Sequence, residues 1–226
     1  MRLLLVRHGQ TPANVDGRLN TAAPGPGLTR LGERQAVMIP KALRGDAIDA
    51  IYASVLVRTQ LTARPLAEDR GLDVRVLEGI HEIEAGDLED RTDRASVRTY
   101  LETVFAWGLG DLSPVMPGGT DGHEFFRRYD ADVATVAAES KTAVVVSHGA
   151  AIRVWVAGRA TNIPPSYAGE HEIDNTGVIE LEGSPDAGWT LLSWQGMPVG
   201  GANLADATAE DPTGETLAEA EQTEAE

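Results

Sequence analysis

The feature that most constrains this chain is a pair of apolar runs, LLLV at 3–6 and AVVV at 143–146, each leading within two residues to a His-Gly pair. Neither run alternates with polar residues, so each reads as a strand buried on both faces. Such strands belong in a parallel sheet with helices on either side. AIYAS at 50–54 and DVRVL at 73–77 read as two more strands, separated from the others by helical patterns. HEIDN (171–175), GVIELE (177–182) and WTLLSW (189–194) read as later strands, the last two as a hairpin around SPDAG. Alternating strands and helices predict an α/β fold, a three-layer α/β/α domain about a mostly parallel central sheet.

Local signals place the helices. Thr11-Pro12 has the form of an N-cap followed by proline at the first helical position, and Thr29 that of a second N-cap. The helix after Thr29 is expected to end near Arg44-Gly45, with Pro40 kinking or stopping it. Further helices are expected over about 56–70, 91–107, 121–139 and 150–158. Residues 85–140, mostly helical and lying between the third and fourth strands, predict a cap insertion over one edge of the sheet. Residues 1–203 are expected to form one catalytic domain. The remainder, 204–226, carries eight acids and no base, half of the net charge of −16. It lacks aromatic residues and apolar periodicity, and reads as an acidic, disordered tail.

In a parallel sheet the carboxyl ends of the strands share one rim, and ligands bind there. LLLVRHGQT puts Arg7 and His8 at that rim, and VVVSHGAAIR puts His148 there too. A glycine after each histidine allows a sharp turn and a close approach. Neutral imidazole is a competent nucleophile toward phosphorus, and guanidinium forks match phosphate oxygens. Arg58, early in the helix after the second strand, supplies a second fork beside Arg7. Both cations would hold His8 unprotonated and reactive. Glu82, just after the third strand, is the candidate acid for a leaving alkoxide, since a nearby phosphate dianion favours its protonated form. His8, His148 and a carboxylate could bind zinc on paper, but the arginines crowding the same place argue against a cation.

These motifs together resemble the histidine phosphatase superfamily, the phosphoglycerate-mutase-like family marked by Arg-His-Gly. They are RHGQT at 7–11 with Asn14, SVLVRTQLTA at 54–63, IHEIEAGDLE at 80–89, PGG at 117–119 and VVSHGAAIR at 145–153, spread over about residues 2–195. The resemblance implies that His8 becomes a transient phosphohistidine while Arg7, Arg58 and His148 hold the phosphoryl group. It implies that Glu82 protonates the leaving oxygen and then helps deprotonate water, that Asn14 contacts phosphate, and that no metal or organic cofactor takes part. Four departures concern substrate choice rather than chemistry: Val55 where the family often has Asp, Glu89-Asp90 for Glu-Gly, Thr120 after PGG, and a longer loop over 19–27.

The resulting expectation is a metal-independent phosphomonoester hydrolase acting on a small phosphorylated metabolite. One rival is a phosphoglycerate-type phosphomutase, against which the short, lysine-poor stretch from Glu82 to His148 argues, because excluding water needs a fuller lid. Another is a catalytically inactive binding module on the same fold, against which the complete catalytic set argues. His171 lies near the rim as a possible substrate contact. His81, His123, Asn175 and the arginines 91, 94, 98, 127 and 128 read as structural or solvated positions, and Phe105, Trp107, Phe125 and Phe126 hint at an apolar side to the pocket. The acidic balance would repel nucleic acid. No cysteine is present, and no apolar stretch is long enough for a membrane span. The first apolar run, cut off at Arg7, lacks the form of a secretory leader. These features predict a cytoplasmic protein with no membrane partner, and dimers being common in similar folds, a homodimer is the assembly the resemblance offers.

Overall fold

The computed structural model describes residues 1–209 and 211–214. The strands are β1 (Arg2–Arg7), β2 (Ala50–Ser54), β3 (Val74–Leu77), β4 (Thr142–Ser147), β5 (Val178–Ser184) and β6 (Gly188–Gln195). The helices are α1 (Pro12–Val15), α2 (Arg30–Ala42), α3 (Val57–Arg70), α4 (Arg94–Gly108), α5 (Gly122–Glu139), α6 (Gly149–Arg159) and α7 (Tyr167–Glu170). They surround a six-stranded sheet of order β3-β2-β4-β1-β5-β6. The first four strands in sequence pair in parallel, while β5 and β6 form the antiparallel hairpin at one side.

The apolar strands bury alternate residues into two cores, as the two-residue period of a strand requires. Leu3, Leu5, Tyr52, Val145 and Ile179 join side chains of α4, α5 and α6 on one face. Leu4, Val6, Ile51, Val144 and Val146 join α2 and α3 on the other. Within the 85–140 insertion, α5 lies on the sheet face, its Tyr129 stacked on Trp155 with ring centroids 5.3 Å apart. Phe105, Trp107, Phe125 and Phe126 are all buried in that core, so they shape the fold and not a pocket wall.

Thr29 caps α2 by accepting from Gly32 N, and the helix runs through Pro40 to Ala42, so the proline ends the helix within a turn instead of breaking it earlier. Residues 171–175 form no strand. They lead into a turn closed by Gly177 N donating to Asp174 O at 2.8 Å, with Thr176 at φ 63°. Asp and Asn are favoured in turns, and here Asn175 also donates to His8 O across the rim at 3.1 Å.

Of the segment expected to be a disordered tail, residues 204–209 and 211–214 are described and contact the domain. Leu204 is buried at the end of a 3₁₀ turn (Ala202–Leu204), and residues 211–214 lie against the sheet rim. Composition argues for disorder only where a segment finds no partner. Here the partner is a buried arginine. Residues 210 and 215–226 lie outside the described residues.

Candidate active site

The register of the central strands builds the centre of the site. Arg7 of β1 lies opposite Ser147 of β4, so the next residues, His8 and His148, emerge side by side at the carboxyl rim. His8 N donates to Ser147 O at 3.0 Å. The two rings lie edge to face with centroids 5.2 Å apart. Neither neighbouring glycine has positive φ. Each is needed for close approach, since a Cβ on Gly9 would lie 2.7 Å from Gly32 O and one on Gly149 2.4 Å from Thr213 O.

His8 is 2% exposed. Its Nδ1 is 2.9 Å from the carbonyl of Gly9, which can only accept, so the proton sits on Nδ1 and the lone pair on Nε2. Burial pushes its pKa well below the ordinary imidazole value, and the Arg58 and Arg7 charges push the same way. His148 is shifted in the same direction, first by burial and then by Arg58. Its Nε2 lies 2.7 Å from Ser54 Oγ, which in turn lies 3.0 Å from Thr59 Oγ1. Thr59 has the carbonyls of Leu56 and Ser54 for its own proton. The hydroxyl chain therefore lets Ser54 accept from His148 Nε2.

Arg7 is fully buried, with Nη1 donating to Ile173 O at 2.7 Å. Arg58 is the second residue of α3 and donates from Nη2 to Asn20 O at 3.0 Å. Burial lowers its pKa to about 10 despite the opposing charge of Glu82. Arg7 Nε, Arg58 Nε and His148 Nδ1 are buried without a hydrogen-bond partner among the described residues. Asn14 closes a capping box with Thr11 at the start of α1, and its side-chain oxygen accepts from Thr11 N at 2.9 Å. That bond fixes the amide orientation and leaves Asn14 Nδ2 as a donor toward the rim.

Glu82 sits at the amino end of α6. Its Oε1 accepts from Ala151 N and Ile83 N, each at 2.9 Å, and Oε2 accepts from Ala150 N at 3.3 Å. Helix amino ends favour a carboxylate, and these bonds pull its pKa down. Burial is the larger effect and leaves the carboxyl above its ordinary value.

The sequence-derived set Arg7, His8, Asn14, Arg58, Glu82 and His148 thus meets at one rim. Reasoning from sequence missed several contributors. Arg128 is buried on α5, not solvated with Arg127, and donates to the carbonyls of Gly79, His81 and Glu82 at 2.5, 2.8 and 2.8 Å. Three residues after Phe125, it lies at the edge of the buried face of α5. Asn175 reaches the site by donating to His8 O at 3.1 Å. His81 pairs with Glu84, and His171 stacks on Tyr167. Arg94, Arg98 and His123 are exposed. Most of these distinctions depend on how helices seat on the sheet, which no local pattern records.

A doubly wound sheet carrying two depressed imidazoles, two buried guanidiniums and a raised carboxyl on its carboxyl rim defines a protein that handles phosphoryl groups. The family profile described as histidine phosphatase superfamily (branch 1) matches residues 3–196, and the chain belongs to that family. It is 42% identical over 216 residues to PE-PGRS family protein PE_PGRS11 of Mycobacterium tuberculosis, covering 88% of this chain but 37% of that longer protein. It is 32% identical to the adenosylcobalamin/alpha-ribazole phosphatase of Escherichia coli strain K12, over 77% of this chain and 86% of the relative. Among solved structures it is similar to the mycobacterial glucosyl-3-phosphoglycerate phosphatase, with a TM-score of 0.71 at 27% identity, over 87% of this chain and 99% of the other.

Proposed function

We propose that this chain hydrolyses small phosphomonoesters through a phosphohistidine on His8. The observation that carries the reading is the state of His8: neutral through burial and two neighbouring arginines, its Nδ1 proton engaged by Gly9, its Nε2 lone pair left for attack. Nε2 attacks phosphorus, and the P–N bond forms as the ester P–O bond breaks. Arg7, Arg58, Asn14 and His148 hold the phosphoryl oxygens, the dianion favouring the imidazolium form of His148. Glu82, its pKa raised by burial, gives its proton to the leaving oxygen. Water then attacks the phosphohistidine, the P–N bond breaks, and Glu82 takes up the proton released.

The relatives named for alpha-ribazole and glucosyl-3-phosphoglycerate support a small phosphorylated metabolite as substrate. Among the described residues no helix is long and apolar enough to cross a membrane. The test is p-nitrophenyl phosphate hydrolysis with EDTA present, combined with mass spectrometry of the quenched enzyme. Turnover with a phosphorylated His8 peptide is expected, both lost in His8→Ala. Turnover that survives in His8→Ala would overturn the assignment.

A further inference from the structure

The two groups at the entrance to the phosphoryl site, Arg7 and Asn14, already hold an anion, and it belongs to the chain itself. Both carboxylate oxygens of Asp211 lie against Arg7 Nη2, at 2.7 and 2.6 Å. Asn14 Nδ2 donates to the same carboxylate at 3.0 Å. Thr213 Oγ1 accepts a further bond from Arg7 Nη2 at 2.9 Å, and Gly214 O accepts from Ile173 N at 3.2 Å. Upstream, Gln10 Nε2 donates to Asp206 at 2.9 Å and Gln35 Nε2 to Leu204 O at 2.8 Å, so the segment is fastened at both ends. The fit is close: a Cβ on Gly214 would lie 2.3 Å from Arg7 Nη1. The segment lies beyond residues 3–196, the part of the chain that the family profile matches.

From this contact we propose that the segment around Asp211–Thr213 is an intramolecular competitive inhibitor, its carboxylate taking the donors that a substrate phosphoryl group needs. The inference rests on the phosphatase reading of the site. Asp211 and Thr213 take both hydrogens of Arg7 Nη2, so a phosphoryl oxygen bound by that nitrogen must displace the segment, and docking competes with substrate. With the strap in place His8 is 2% and His148 0% exposed, so a substrate reaches the imidazoles only after part of the rim moves. Tethering keeps the carboxylate at an effective concentration that a free acid of the same weak affinity would not reach. A strap docked nine-tenths of the time raises the apparent KM about tenfold and leaves kcat unchanged, because saturating substrate displaces it.

The experiment compares p-nitrophenyl phosphate kinetics of the full chain with Asp211→Asn, Thr213→Ala and a chain ending at Ala209. The expected result is a fall in KM of about three- to tenfold in Asp211→Asn and in the shortened chain, at constant kcat. Inorganic phosphate should inhibit those two more strongly than the full chain, by a similar factor. Circular dichroism and thermal melts establish that each variant is folded. Unchanged KM and phosphate inhibition in folded variants would overturn the proposal. So would a raised KM or a lowered kcat, which would make the strap part of the substrate site. Loss of the phosphatase reading looks different: turnover would then persist in His8→Ala in every background.

Discussion

His8 and Glu82 both lose their water on folding, and the loss moves them in opposite directions because it penalises the charged form of each. The imidazole falls below its ordinary 6.5, toward the neutral form, while the carboxyl rises above 4.5, toward the protonated form. In the proposed reaction kcat/KM falls on the acid side as His8 gains a proton and on the alkaline side as Glu82 loses one. Glu82→Gln should lower kcat for an alkyl phosphate by about 10²–10⁴-fold. With p-nitrophenyl phosphate, whose phenolate leaves unaided, the first step should survive better than the second, and phosphohistidine should accumulate. Rapid quench with mass spectrometry measures that, and a Glu82→Gln enzyme that turns over alkyl phosphates at the full rate would remove Glu82 from the mechanism.

At the scale of elements, the acid is set by two helices to which it does not belong. The first turn of α6 supplies the amides for its carboxylate, and Arg128 of α5 grips the carbonyls on its own segment. A lysine at 128 keeps the charge but offers one compact head where three carbonyls are now served by a planar fork. Arg128→Lys is therefore expected to reduce kcat by about tenfold or more, since small misplacements of a catalytic group are costly, while KM changes little. Steady-state kinetics on both constants decides it. An equal rise in KM would instead place Arg128 in substrate binding.

At the scale of the whole molecule, the buried imidazoles tie stability to pH. Below the free value of 6.5 the unfolded chain binds protons at His8 and His148 that the folded chain refuses. Stability is therefore lost as pH falls through 6.5 toward the depressed folded values, by up to about 1.4 kcal/mol per pH unit for each imidazole. Glu82 works the other way: its folded pKa is raised, so its contribution grows as pH falls toward 4.5. Two imidazoles outweigh one carboxyl, and the melting temperature should drop between pH 7 and pH 5. Calorimetry of the native chain and of His8→Asn tests this, the variant being expected to lose part of the dependence; an identical slope in both would contradict it.

The sequence by itself determined the six strands of the sheet, the helix caps at Thr11 and Thr29, and the six polar residues that meet at the rim. These follow from local chemistry: runs apolar on both faces force a parallel sheet, and a parallel sheet brings its carboxyl ends to one side. The pairing of Arg7 with Ser147 then carries His8 to His148 without further information. Three matters were decided only in three dimensions. Arg128 grips the acid-bearing segment because α5 seats one particular face on the sheet, and the segment at 174–177 turns where a strand is expected, its Asn175 amide bonding His8 O across the rim. The acidic segment docks because a buried guanidinium, invisible in the tail's own composition, lies where Asp211 can reach it. Local rules see the neighbours of a residue along the chain, whereas a buried charge takes its partner from whatever the fold brings near.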